Sequence, residues 1–196
     1  NNLMIILGLI LAEKRQAIRQ GHGEAEALSE KFEGRIQGLL EIHQMLSDSG
    51  WEPVKISHLA DRICKSVLHS FSDGQTVVDL FVGECAITVN SRQAGSLALV
   101  FNELIINCMK YAFAGAEGGE TPSITIGFAH EQECLRIEFR DNGCGYPETV
   151  IMDKRWNVGL RLVHQIIEHT LGGEILLLNS NGALVQIVID LDEANQ

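Results

Sequence analysis

The chain has 196 residues, enough to bury a real core as one large domain or two small ones. Its 26 acidic residues against 15 basic ones give a net charge of −11, and no lysine- or arginine-rich run stands out, which excludes a nucleic-acid partner held by phosphate contacts. Five cysteines, at 64, 85, 108, 134 and 144, form no CxxC pair, which argues against a disulfide framework or zinc knuckle and fits a reducing cytosol.

Residues 3 to 19 read as one helix, closed by Gly21 and Gly23 around His22. Its apolar run LMIILGLILA is half a membrane span and meets Glu13, Lys14 and Arg15 at once, so a buried helix is the better reading. From about 24 to 47 a second helix places Leu28, Phe32, Ile36, Leu39, His43 and Leu46 in a seam of coiled-coil type. Two such helices cannot bury their faces alone, so a second copy completing a four-helix bundle is expected, with His43 as a packed core histidine. Opening on Asn1 and Asn2 without a Met, the chain reads as an excerpt of a longer one, with a membrane or sensory segment possible upstream.

Ser49-Gly50-Trp51-Glu52-Pro53 breaks the helical pattern and is the expected domain boundary. Beyond it the texture is mixed. Residues 56 to 71 read as helix, QTVVDLFV and CAITVN as short strands, and roughly 91 to 113 as a long helix. Strands are expected near 123 to 129 and 133 to 140, and a helix from about 158 to 171, stopped by Gly172-Gly173. ILLLNS and ALVQIVID, split by Asn181-Gly182, read as a closing hairpin.

Three stretches invite a chemical reading. In FNELIINCMKYAF, residues 101 to 113, Glu103, Asn107 and Lys110 fall within an arc of roughly 60° on an otherwise apolar helix. A solvated face and a working surface both fit that stripe. Asn102 points into the apolar arc and is expected to bond to nearby backbone. DNGCG, residues 141 to 145, follows the strand CLRIEFR and by itself signals a hairpin turn. GLRLV, residues 159 to 163, opens a helix, whose exposed N–H groups suit phosphate.

Taken in order, these stretches resemble the ATP-binding domain shared by histidine kinases, gyrase, Hsp90 and MutL. The stripe resembles its N box, DNGCG its first glycine box and NVGLRLV its second, and the likeness runs over residues 55 to 191. It implies a Bergerat-type α/β sandwich using ATP and Mg²⁺. Asp141 would accept from the adenine amino group, while Gly143 and Gly145 let the backbone approach the base. Asn107 would offer an oxygen to Mg²⁺ and Lys110 would meet a phosphate. Glu103 would polarise a water or hydroxyl. Tyr111, Gly159 and Leu160 are implied nucleotide contacts as parts of the same boxes. YPETVIMDKRWN, between the glycine boxes, would be the ATP lid. It is short, lacks a second glycine cluster, and carries Lys154 and Arg155, for which phosphate contact and solvent exposure are both open.

The first half resembles the dimerisation helices of the kinase subfamily whose first helix reads H-R-x-x-N-N-L, through NNLMIILGLILAEKR and RIQGLLEIHQML. The related HWE kinases have a histidine where Asn102 stands and a later W-x-E motif, and neither is here. In the subfamily the phosphate-accepting histidine stands four residues before the position of Asn1. None of His22, His43, His58, His69, His130, His164 or His169 matches it.

The implied fold is α+β: a helical hairpin over residues 1–50, dimeric as a four-helix bundle, then a catalytic ATP-binding domain over 51–196. The implied protein is a cytoplasmic two-component sensor histidine kinase core, a homodimer through residues 3–47. It would pass the γ-phosphoryl of ATP to a histidine and on to a response-regulator receiver domain. The alternatives are a histidine-phosphotransferase-like binding module and an anti-sigma-type serine kinase.

Overall fold

The computed structural model describes Gln44 and residues 52–71, 77–113, 120–131 and 133–190. Apart from the exposed, helical Gln44, the expected helices over 3–19 and 24–47, their seam and the start of the boundary lie outside the described residues. Among the described residues no helix is long and apolar enough to cross a membrane.

The elements run β1 (Val54–Lys55), α1 (Ile56–Ser70), β2 (Asp79–Val82), β3 (Thr88–Val89), α2 (Ser91–Asn107), β4 (Ser123–Glu131), β5 (Cys134–Asp141), α3 (Glu148–Ile151), α4 (Val158–Gln165), β6 (Glu174–Asn179) and β7 (Ala183–Asp190). A wider π turn extends α2 over Cys108–Ala112, and another extends α4 over Ile166–Thr170. Within the described residues, the expected helices and strands therefore appear close to where the periodicity puts them. β1 and the short α3 are additions, too brief to give a periodic signal, while the expected strand CAITVN pairs only over Thr88–Val89, against β1.

One five-stranded sheet, in the order β2-β4-β5-β7-β6, forms one layer of an α+β sandwich. β2 runs parallel to β4, and the other neighbours are antiparallel. Alternation along each strand sends Ile124 and Ile126, Leu135, Ile137 and Phe139, and Val185, Ile187 and Ile189 into the core. The helices cover that face. α2 packs against both α1 and α4, so its surface from Gln93 to Ile106 is buried all round, with the polar Gln93, Ser96, Asn102 and Glu103 among the apolar residues.

Its start is fixed locally. Asn90 Oδ1 accepts from Gln93 N at 2.9 Å, and Gln93 Oε1 accepts from Asn90 N at 3.1 Å, a capping box. Asn102 does not behave as expected. Its side chain is buried, and among the described residues neither of its amide atoms has a hydrogen-bond partner.

Candidate functional site

The period-two alternation of β5 buries Leu135, Ile137 and Phe139, then places Asp141 on the same inward face. A carboxylate thus ends the apolar row of the central strand, 4% exposed. Burial on those terms demands partners. Oδ1 accepts from Gly143 N at 2.8 Å and from Ala183 N at 3.1 Å. Oδ2 accepts from the Cys108 thiol, with sulfur at 3.4 Å. Burial, reinforced by the Asp141 carboxylate, pushes that thiol well above its ordinary range, so it stays protonated and can donate.

Two glycines make this arrangement possible. A Cβ on Gly143 would stand 2.5 Å from the Cβ and carbonyl oxygen of Ala112, where the turn lies against the end of α2. A Cβ on Gly182, whose φ is +120°, would run into the Asp141 carbonyl oxygen. Only glycine lets the β6–β7 connection settle there and bring Ala183 N to Asp141.

Asp141 lies at the wall of a cavity of about 410 Å³. From α2 and its π turn come Leu104, Asn107, Cys108, Tyr111 and Ala112, one helix face at ordinary spacing. Opposite are Gly145, Tyr146, Pro147 and Val150, with Arg155, Asn157 and Leu160 completing the ring. An apolar slot with a few polar groups and this volume suits a flat heterocycle.

Of the expected residues, the cavity wall brings together Asn107, Tyr111, Asp141, Gly145, Arg155 and Leu160. Glu103 is buried, on the neighbouring face of α2. The Lys110 ammonium lies 6.0 Å from the centre of the Phe71 ring. Lys154, at φ +52°, holds its ammonium 5.7 Å from the Trp156 ring. Gly143 packs on Ala112, and Gly159 is buried in the first turn of α4. Of the polar stripe, only Asn107 lines the cavity. At Gly143 and Gly145 the structure brings protein atoms close to where a Cβ would stand. At Gly145, φ is +75° and an added Cβ would meet Asn179 Oδ1 at 2.8 Å.

Three residues that pattern reading left unassigned shape the site. Cys108 reads as a small core residue, yet its thiol meets the buried carboxylate. Asn157 caps α4, its Oδ1 accepting from Leu160 N at 2.8 Å, and its Nδ2 donates to Asn107 Oδ1 at 3.2 Å. Asn179 grips the backbone of Tyr146 with both ends of its amide, accepting from N at 2.8 Å and donating to O at 2.9 Å. An asparagine just before a glycine-led helix is the one sequence signal among these.

The segment from Tyr146 to Asn157 closes one side of the cavity. Trp156 Nε1 donates to Val150 O at 3.0 Å, and its ring lies 4.4 Å from that of His164 on α4. His164 Nε2 in turn stands 2.9 Å from Glu168 Oε1. Burial, with Cys108 and Asp141 nearby, raises the Tyr146 phenol above its usual range, so it stays neutral.

Residues 93–193 match the family model described as histidine kinase-, DNA gyrase B-, and HSP90-like ATPase, and residues 1–71 match one described as histidine kinase. The chain is 29% identical over 178 residues to the sensor histidine kinase PdtaS of Mycobacterium tuberculosis, covering 89% of this chain and 34% of that relative. It is 24% identical over 199 residues to the blue-light-activated histidine kinase 2 of Erythrobacter litoralis, covering 98% and 55%. The chain therefore spans about a third to about half of the length of these relatives. Among solved structures, the histidine kinase domain of the Erythrobacter litoralis EL346 blue-light-activated kinase superposes with a TM-score of 0.72 at 23% identity, over 99% of this chain and 88% of that one. That likeness is one of fold.

Proposed function

We propose a function for a chain that belongs to the family of histidine kinase-, DNA gyrase B- and HSP90-like ATPases: it is the dimerisation and catalytic core of a two-component sensor histidine kinase. Residues 1–50 would be the helical hairpin and 51–196 the catalytic domain. The cavity would hold the adenine of ATP, with its phosphates toward Asn107 and the start of α4 at Gly159 and Leu160.

The observation that carries this reading is the unspent acceptor capacity of Asp141. A carboxylate has about four lone-pair sites. Oδ1 uses two on backbone N–H groups, while Oδ2 has only a thiol. The exocyclic amino group of adenine is the donor that such an oxygen, at the wall of an apolar slot, would take. Guanine offers an oxygen there instead.

Asn107 Oδ1 suits Mg²⁺, a hard cation that keeps several waters and is commonly held by one or two protein oxygens together with substrate phosphates. Its single hydrogen bond from Asn157 leaves a lone pair for the metal. Among the described residues no three His, Cys, Asp or Glu side chains are grouped to hold an ion, which suits a metal brought in with the nucleotide. Bound there, Mg²⁺ would neutralise phosphate charge. The chain's own part is to hold the base on Asp141, keep Asn107 oriented through Asn157 and close the slot with residues 146–157. Arg155 lines the cavity and would meet phosphate, as would Lys110 and Lys154 once the nucleotide draws them in. Glu103 would polarise the accepting group.

The acceptor would be a histidine on the dimerisation helix, and the next acceptor an aspartate of a response-regulator receiver domain, all in the cytoplasm. Incubating the full-length gene product with γ-³²P-labelled ATP and Mg²⁺ tests this. Acid-labile, alkali-stable label that chases onto a receiver domain is expected. ATP binding without any label would reduce the protein to a binding module, and acid-stable label would make it a serine kinase. The homodimer would form through the seam of residues 3–47. At roughly 1.5 to 3 kcal/mol per large apolar side chain, leaving that seam in water is costly, so light scattering at micromolar concentration should report twice the chain mass.

A further inference from the structure

We infer that Cys108 is a positioning residue for purine recognition, its thiol holding the Asp141 carboxylate in the orientation that reads the six-position amino group. The inference rests on the nucleotide reading above and extends it to a residue outside the motif positions.

Oδ1 of Asp141 is pinned by Gly143 N, on the glycine turn, and by Ala183 N, on the β6–β7 hairpin. Those two bonds both fall on one oxygen and give the other no donor. Sulfur, 3.4 Å from Oδ2 and delivered from α2, supplies the third point. Three donors from three separate segments define the carboxylate plane, and one lone pair of Oδ2 is left for a ligand. Cys108 is itself part of the cavity wall, so the thiol stands beside the place where the base would lie. The side chain is 3% exposed, so water has little access to replace it as donor.

A thiol is a weak donor, but the alternative for a buried Oδ2 is no protein donor at all. Two consequences separate this role from mere packing. Removing the thiol should weaken only ligands that use Asp141. It should also have no effect once Asp141 can no longer distinguish them.

The test is calorimetry with two Mg²⁺-bound nucleotides, ATP and purine riboside triphosphate, which lacks only the six-amino group. Cys108→Ala, and Cys108→Val as the apolar variant of similar bulk, are compared with wild type, each also in an Asp141→Asn background. Loss of the thiol is expected to weaken ATP about three- to tenfold while leaving purine riboside triphosphate within about twofold, and to change nothing further when Asp141 is Asn. Equal weakening of both nucleotides, or no weakening of either, overturns the positioning role. If Asp141→Asn itself fails to weaken ATP, the adenine reading has failed instead, and the two outcomes cannot be confused.

Discussion

Asn157 Nδ2 donates to Asn107 Oδ1 across 3.2 Å, joining side chains 50 positions apart at the meeting of α2 and α4. The same Asn157 caps α4 through Leu160 N, so one residue sets a helix start and orients the expected metal ligand. Substitution separates the two jobs. Asn157→Ser keeps a capping oxygen but is too short to reach Asn107. It should hold the thermal midpoint within about 2 °C while weakening Mg²⁺-dependent ATP binding severalfold. Asn157→Ala should lose about 1 kcal/mol of stability as well. Thermal melts beside calorimetry read both, and a Ser variant that binds like wild type would contradict the orienting role.

Asn107→Ala should act through the metal. ATP affinity is expected to fall clearly with Mg²⁺ present and to change little in EDTA. Equal losses in the two buffers would mean that Asn107 serves the cavity shape and not the ion.

What was legible in the sequence, and what was not, follows from the range of each interaction. The helix from Ser91 declares itself through Asn90 and Gln93, three residues apart, and the β6–β7 hairpin through Asn181-Gly182, both at positive φ. Asp141 is legible too, because the alternation of CLRIEFR runs straight into it. The bond of Cys108 to Asp141 and the seating of Gly182 against it were not. Their importance comes from partners 33 and 41–42 positions away, with nothing local to mark it. The polar stripe meets the cavity only at Asn107, for a physical reason. A slot for a flat base is largely apolar, so the cavity face of α2 is Leu104, Asn107, Cys108, Tyr111 and Ala112, while Glu103 and Lys110 flank it.

Gly182→Ala should be costly to both fold and site. The added Cβ meets the Asp141 carbonyl, at a φ of +120° that side chains rarely adopt. A loss of about 2 kcal/mol or more in urea unfolding is expected, with ATP affinity falling in the variant that remains folded because Ala183 N is displaced from Asp141. A variant as stable as wild type would mean that the hairpin is not seated on the Asp141 turn.

The segment from Tyr146 to Asn157, the proposed lid, is anchored by Trp156 on Val150 and His164, with Lys154 and Arg155 just before Trp156 as trypsin sites. Trp156→Ala should open this segment locally. Tryptic cleavage after Lys154 and Arg155 is expected to quicken roughly fivefold, the factor that about 1 kcal/mol represents, with little change in the global urea midpoint. Unchanged cleavage would show that the anchor lies elsewhere.

The central claim is that Asp141 reads adenine, and calorimetry on Asp141→Asn tests it most directly. Asn preserves size and one acceptor for Gly143 N and Ala183 N, so the fold should survive by circular dichroism. The charged acceptor for the amino group is lost, a bond typically worth about 1.5 to 3 kcal/mol, so ATP affinity should fall by roughly one to two orders of magnitude. GTP, bound weakly from the start, should not follow. A folded Asp141→Asn protein that binds ATP as tightly as wild type would contradict the account.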